Sequence, residues 1–290
     1  MPAIISQLYT YPLKSCAGIS VNELVFDEKG PLLDRRWMLV ERNSGVFLSQ
    51  RTVPEMALIQ TRLVNGEVWV HQTMNTTLIN SLRLPIVDLE SSDGEKSLDG
   101  GRRHIIDVEV WEDRVQAYDC GDEAAAWFSE LLNVDCRLVY QGDCQRFASE
   151  KYANKYTQVS FADGFPLLIV AQSSIDLLND DCSVNLDATH FRPNIVVENT
   201  SAFAEKSWSS IKTKQLSLTV VKPCERCVIP TINPNTAKKE PAILKVLKSH
   251  CLDAGRIIFG QNLTFMPLVD DKRSLHIQLK LITGDALVIK

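Results

Sequence analysis

At 290 residues and 45% apolar content, the chain is long enough for one large or two medium folded units, each with a real core. Its 31 basic and 36 acidic residues give a net charge of −5, which excludes the broad basic surface that nonspecific nucleic-acid binding needs. Any basic pocket must therefore be local, and apolar runs such as 166–171 are far too short to span a bilayer.

The N-terminus, MPAIISQLYTYPLKS, has no basic stretch followed by an apolar core, so no secretory signal is expected and a cytoplasmic location is. The eight cysteines, at 16, 120, 136, 144, 182, 224, 227 and 251, are then expected to be reduced, most of them serving as small buried hydrophobes. Short strand-like runs follow at 4–9, 21–26, 37–41, 57–63 and 67–71. Asn65-Gly66 between the last two is a hairpin signal. Runs 108–111 and 114–118 form a second candidate hairpin around Glu112-Asp113. Asp122 reads as an N-cap, because Ala124, Trp127, Phe128, Leu131 and Leu132 follow at helical spacing. The polar segment 141–160 has no period and reads as a long loop.

The second half predicts strands at 167–170, 194–197, 216–221, 257–265, 275–282 and 286–289, with helices near 173–178 and 241–248. Pro241 suits the first turn of the latter, where its missing N–H costs nothing. Many short strands and few helices make the fold mainly β, of the α+β class, as barrel or sandwich units.

Cys224 and Cys227 form a C-x-x-C whose second cysteine directly follows Arg226. Positive charge beside a thiol favours thiolate, the form that binds metal or attacks electrophiles. The residues after it read as a short β-branched strand and then an Asn-Pro-Asn turn. Structural zinc would need a second ligand pair, and His250-Cys251 lacks the spacing. A thioredoxin-type dithiol would open a helix, which β-branched residues here do not favour. Two packing cysteines is the plainest alternative. Three other segments could hold an anion: Lys14-Ser15 in a loop after a strand, Asp34-Arg35-Arg36 at a strand start, and Arg192-Pro193-Asn194 at another. Taken singly, such residues are more often solvated charges. Convergence in space is what would make them a site.

The segments YPLKSCAG (11–18), LLDRRWMLV (32–40), YDCGDEAAAWF (118–128), FADGFPLLI (161–169), HFRPNIVV (190–197), CERCVIPTINPNT (224–236) and IIFGQN (257–262) together resemble the MOSC-domain family. The resemblance is to its longer members, the amidoxime-reducing-component and YcbX-type proteins. It implies a MOSC N-terminal β-barrel region over 1–133, a MOSC β-barrel domain over 134–290, and a molybdenum cofactor (Mo-molybdopterin). In these relatives the cysteine after arginine is the protein ligand of molybdenum, which makes Cys227 the metal ligand and catalytic residue here. A soft thiolate suits such a centre.

By the same resemblance Lys14, Ser15 and Arg35 hold the pterin's phosphate end, and Arg192 and Asn194 reach the cofactor. Asp163, Gly164 and Phe165 line the pterin, Glu225 and Arg226 flank the metal ligand, and Asn262 stands nearby. Gly164, Phe165 and Asn262 depart from the residues relatives carry there. The implied activity is reduction of N-hydroxylated compounds, with Asp163 and Glu225 as candidate proton donors. The alternative is a cofactor or sulfur carrier without turnover. The chain contains no C-x4-C-x2-C run of the [2Fe–2S] type, so a separate iron–sulfur protein or flavoprotein is the expected electron donor. Neither nucleic acid nor membrane is an expected partner.

Overall fold

The computed structural model describes residues 1–74, 77–84, 104–268 and 278–290. Strands dominate, with four α-helices among the described residues, so the fold is mainly β and α+β in class. The largest sheet runs in the order Val288–Ile289, Ser210–Lys212, Leu216–Glu225, Arg256–Pro267, Leu167–Ala171, Ile195–Glu198, Ile4–Thr10, Ile19–Val21. Its centre is apolar on both faces, as a covered strand requires: in Leu167–Ala171 only Leu168 is not fully buried. That strand is parallel to Ile195–Glu198. A parallel neighbour needs a crossover, and helix Gln172–Asp181 supplies it, burying Ile175 and Leu178.

A second sheet orders Trp37–Glu41, Cys136–Tyr140, Asp113–Asp119 and Ile105–Val110, and a third contains Ile59–Val64, Glu67–Met74 and Thr77–Arg83. Trp37, Leu39 and Leu138 pack with Phe128 and Leu132 of helix Asp122–Leu132 into one core. The Asn65-Gly66 hairpin forms, with φ of 52° and 81° at the two loop residues, as a type I′ turn demands. Among the described residues the hydrogen-bonded strand paths stay open, so the barrel-like expectation takes the form of unclosed sheets. Pairing runs across the expected division at 133/134. Ile4–Thr10 pairs with Ile195–Glu198, and Cys136–Tyr140 pairs with Trp37–Glu41.

Three local expectations change. Gly121, not Asp122, is the N-cap of the first long helix; Asp122 sits inside its first turn, and Arg137 bonds both Asp119 and Asp122. The second hairpin turns at Trp111-Glu112 rather than around Glu112-Asp113, because Val110 pairs directly with Asp113. The residues after Cys227 form the 3-10 turn Ile229–Thr231 rather than a strand. Pro230 cannot donate to a ladder, and the Thr231 N–H and hydroxyl both bond the Val228 carbonyl, at 2.9 and 2.6 Å. The predicted strand 275–282 falls partly outside the described residues; Lys280–Ile282 is strand.

Candidate functional site

Three loops from distant parts of the chain are tied together at the edge between the sheets. The Arg35 N–H donates to the Tyr11 carbonyl at 2.8 Å, the Lys14 N–H to the Trp37 carbonyl at 2.9 Å, and the Phe161 N–H to the Arg35 carbonyl at 3.0 Å. The buried Arg146 guanidinium clamps the last loop by donating to the carbonyls of Ser160 and Ala162, at 3.0 and 2.5 Å, and of Asp163 at 3.1 Å. The Asn194 amide closes the junction. Its Nδ2 donates to the Tyr9 carbonyl and Asp34, and its Oδ1 accepts from the Leu168 N–H and Arg35. All four of its bonding positions are used inside the protein, so it positions Arg35 rather than reaching outward.

These loops line one cleft, which holds about 880 Å³ of open space including its mouth. Lys14, Ser15, Arg35, Asp163, Gly164, Phe165, Arg192 and Asn194 all line it. Glu225, Arg226, Cys227 and Asn262 complete it from the paired strands Leu216–Glu225 and Arg256–Pro267. Every cofactor-site residue expected from the resemblance therefore borders the same space, whereas Asp34 and Arg36 of the second anion segment do not: Asp34 pairs with Arg35 and Arg36 with Asp27. Ser15, Arg35 and Arg192 all have left-handed backbone, with φ of 68°, 49° and 56°. Three non-glycine residues in that region at one cleft are strain of the kind that gathers at ligand sites.

The cleft is crowded with cations. The Tyr11 ring is fully buried, with the guanidinium groups of Arg35 and Arg192 each 4.5 Å from its centroid. Burial and the neighbouring Arg35 charge push Arg192 below its ordinary value. Its Nη1 donates to the Cys16 carbonyl at 2.6 Å, while its buried Nη2 has no partner among the described residues. Arg226 behaves alike: Nε and Nη1 donate to the Phe259 and Phe191 carbonyls at 2.8 and 2.9 Å, and Nη2 has no partner among the described residues. Burial pushes Lys14 down to about 8, against the opposing pull of Asp163 2.6 Å away.

Burial works against ionisation of Asp163, but the Lys14 ammonium, the Trp111 indole and Arg35 hold its carboxyl below the usual carboxylate range. It accepts hydrogen bonds and is a poor proton donor. Glu225, the other candidate, turns its carboxylate to Arg256 at 2.7 Å.

Cys227 follows the end of strand Leu216–Glu225, at the cleft wall. Its sulfur accepts from Arg51 Nη2 at 3.2 Å and from the Ile229 N–H at 3.4 Å. All eight cysteines are free thiols. Cys224 also borders the cleft, but burial pushes its thiol up against the pull of Arg226. Among the described residues no three His, Cys, Asp or Glu side chains cluster to hold a metal unaided.

Sequence reading missed Arg51, Phe47 and Ser49, which line the cleft, and Trp111 and Arg146, which brace it. None sits in a recognisable motif. No turn signal marked Trp111, which the expected strand 108–111 included.

A thiol in a cation-lined cleft between β-sheets defines the class of site. The chain itself belongs to the MOSC family: residues 2–135 match the MOSC N-terminal beta barrel domain and residues 156–277 the MOSC domain. It is 30% identical over 260 residues to mitochondrial amidoxime reducing component 2 of Bos taurus, covering 86% of this chain and 72% of that protein. Similarity to mitochondrial amidoxime-reducing component 1 of Mus musculus is 29% over 271 residues, covering 89% and 74%. A molybdenum cofactor sulfurase of Drosophila mojavensis is 27% identical over 287 residues, which is 98% of this chain but only 34% of the sulfurase. No helix among the described residues is long and apolar enough to cross a membrane.

Proposed function

We propose that the cleft binds a molybdenum cofactor, with Cys227 as the protein ligand of the metal, and that the protein reduces N-hydroxylated compounds. The observation that carries this is the meeting of the Cys227 sulfur with Lys14, Arg35, Arg192 and Arg226 in a single cleft of an otherwise acidic protein. The donor set fits the group. A soft sulfur suits molybdenum, and unpartnered guanidinium N–H groups on Arg192 and Arg226 suit an anionic pterin. Among the described residues no three His, Cys, Asp or Glu side chains gather around Cys227, so a metal there would draw on ligands from outside the protein, as a dithiolene cofactor would supply.

When bound, the cofactor supplies the two-electron chemistry that removes oxygen from an N–O bond. The chain's residues bind and orient it. Lys14, Ser15 and Arg35 would take the phosphate end. Arg192, with Asn194 behind Arg35, would hold the anion's middle. Asp163, Gly164 and Phe165 would line the pterin face, and Gly164 has open space where a Cβ would lie. Glu225 and Arg226 flank the metal ligand, and Asn262 braces the neighbouring strand through a 3.2 Å bond to the Lys222 carbonyl. Electrons would come from a separate iron–sulfur protein or flavoprotein.

The sulfurase alignment over nearly the whole chain favours a second reading, a cofactor or sulfur carrier without turnover. Loaded protein, given an electron-donor system and N-hydroxyadenine, separates the two. Formation of adenine supports the reductase. Stable binding with no product, together with hand-over of cofactor to an apo-enzyme, supports the carrier and overturns the reductase.

A further inference from the structure

We propose that Trp111 is a positioning residue of this site, holding the Arg51 guanidinium on the Cys227 sulfur. Trp111 is the first of two loop residues between strands Ile105–Val110 and Asp113–Asp119, where Val110 pairs with Asp113. Its φ is 60°, while Glu112 after it is not left-handed. A two-residue hairpin with positive φ at its first loop position only is the type II′ turn, which places glycine there. A tryptophan in that position is strained, and such strain persists where the surroundings over-determine the conformation.

The surroundings do so here. The indole Nε1 donates to Asp163 Oδ1 at 3.2 Å, across to the loop that also takes Lys14. Phe47, which lines the cleft, packs on the ring with centroids 5.0 Å apart. The Arg51 guanidinium lies over the same indole at 4.3 Å and donates to Cys227 at 3.2 Å. Among the described residues no carboxylate forms an ion pair with Arg51. A long, flexible side chain is thus held by an aromatic face on one side and a sulfur on the other. The result is a donor fixed on Cys227 rather than on Cys224 three residues earlier. Groups that hydrogen-bond a ligand atom orient it and tune its metal affinity, and their loss weakens that affinity 10- to 100-fold.

The inference rests on the reading of Cys227 as the metal ligand, and its test is built to fail separately. The full chain is prepared as wild type, Arg51→Met, Trp111→Ala, Trp111→Gly, Trp111→Phe and the double variant Trp111→Ala/Arg51→Met. In cofactor-free protein, the Arg51 Nε–H resonance is assigned by its loss in Arg51→Met. It should stand apart from exposed arginines in wild type and Trp111→Phe, and merge with them in Trp111→Ala and Trp111→Gly. The thermal midpoint of Trp111→Gly should be no lower than that of Trp111→Ala, because glycine relieves the turn that alanine leaves strained. Molybdenum affinity should fall about tenfold in Arg51→Met, with the double variant no worse, since Trp111 acts through Arg51. An Arg51 resonance unmoved in Trp111→Ala overturns the proposal. So does a double variant that loses the product of the single losses, and so does a loss of molybdenum affinity across the Trp111 series that follows the thermal midpoint rather than Arg51 order. If the wild type takes up no molybdenum, the cofactor reading fails while the resonance still decides the role of Trp111.

Discussion

Lys14 and Asp163 pair at 2.6 Å; burial disfavours both charges, but the Lys14 ammonium, the Trp111 indole and Arg35 keep Asp163 ionised while Lys14 is pushed down. Asp163 stays ionised, while the Lys14 ammonium titrates near 8 instead of its ordinary 10.5. Between those two values the folded state holds fewer protons at Lys14 than the unfolded chain. Its contribution to stability therefore rises with pH across that window, while the cleft loses a positive charge. Inorganic sulfate keeps its charge over the same range and is a clean probe. Its affinity should fall as pH rises through about 8, and Lys14→Met should weaken binding and flatten the profile, read by calorimetric titration. A profile unchanged by the substitution would remove Lys14 from the anion site.

At this scale the sequence was informative where a residue type announces its chemistry. Lysine and arginine beside hydroxyls, and cysteine after arginine, were legible as a set through the resemblance. Arg51 was not, because a lone arginine in a polar loop looks like a solvated charge until folding brings it 3.2 Å from a sulfur. Asn194 was legible as a site residue, but its role differs. Its amide is consumed by Tyr9, Asp34, Leu168 and Arg35. Asn194→Ala should cost about 1–3 kcal/mol per buried partner left unmet, measured by chemical denaturation. A near-neutral result would mean water replaces the amide.

Strands Leu216–Glu225 and Arg256–Pro267 carry Cys227, Arg226 and Asn262 to the cleft, and the geometry depends on one glycine. Gly260 has φ of 76°, and a Cβ there would lie 2.8 Å from the Ile169 carbonyl oxygen and 3.4 Å from Arg226 Nη2. The substitution Gly260→Ala meets both a strained, left-handed φ and a carbonyl that cannot move cheaply. It should lower stability by more than about 1 kcal/mol and displace Arg226. An unchanged unfolding midpoint would show that the strand relaxes freely. Element existence was legible for strands with clear alternation or turn signals, such as the Asn65-Gly66 hairpin. It was not legible for Cys136–Tyr140, a five-residue run after a helix, whose partner Trp37–Glu41 lies about a hundred residues earlier. The turn after Cys227 was misread because β-branched propensity is overruled by a proline that cannot join a ladder.

The whole molecule is acidic, yet its cleft gathers cations from both ends of the chain. Its N-terminal and C-terminal halves are stitched together by shared pairing: Ile4–Thr10 pairs with Ile195–Glu198, and Glu23–Asp27 with Lys280–Ile282. Separate expression of 1–133 and 134–290 should thus give aggregation-prone pieces with unpaired edges, which recover protease resistance only when co-expressed. Two independently folding, monomeric halves would contradict that. The mainly β class was legible from strand count. The shared strands were not, because pairing between distant runs leaves no local pattern.

Molybdenum per polypeptide, measured on freshly purified protein from cells supplied with molybdate, bears most directly on the central claim. Wild type and Cys224→Ala should carry the metal together with an oxidised fluorescent pterin, and Cys227→Ala should carry little of the metal. Equal metal in wild type and Cys227→Ala, or loss that follows Cys224 instead, would contradict the account.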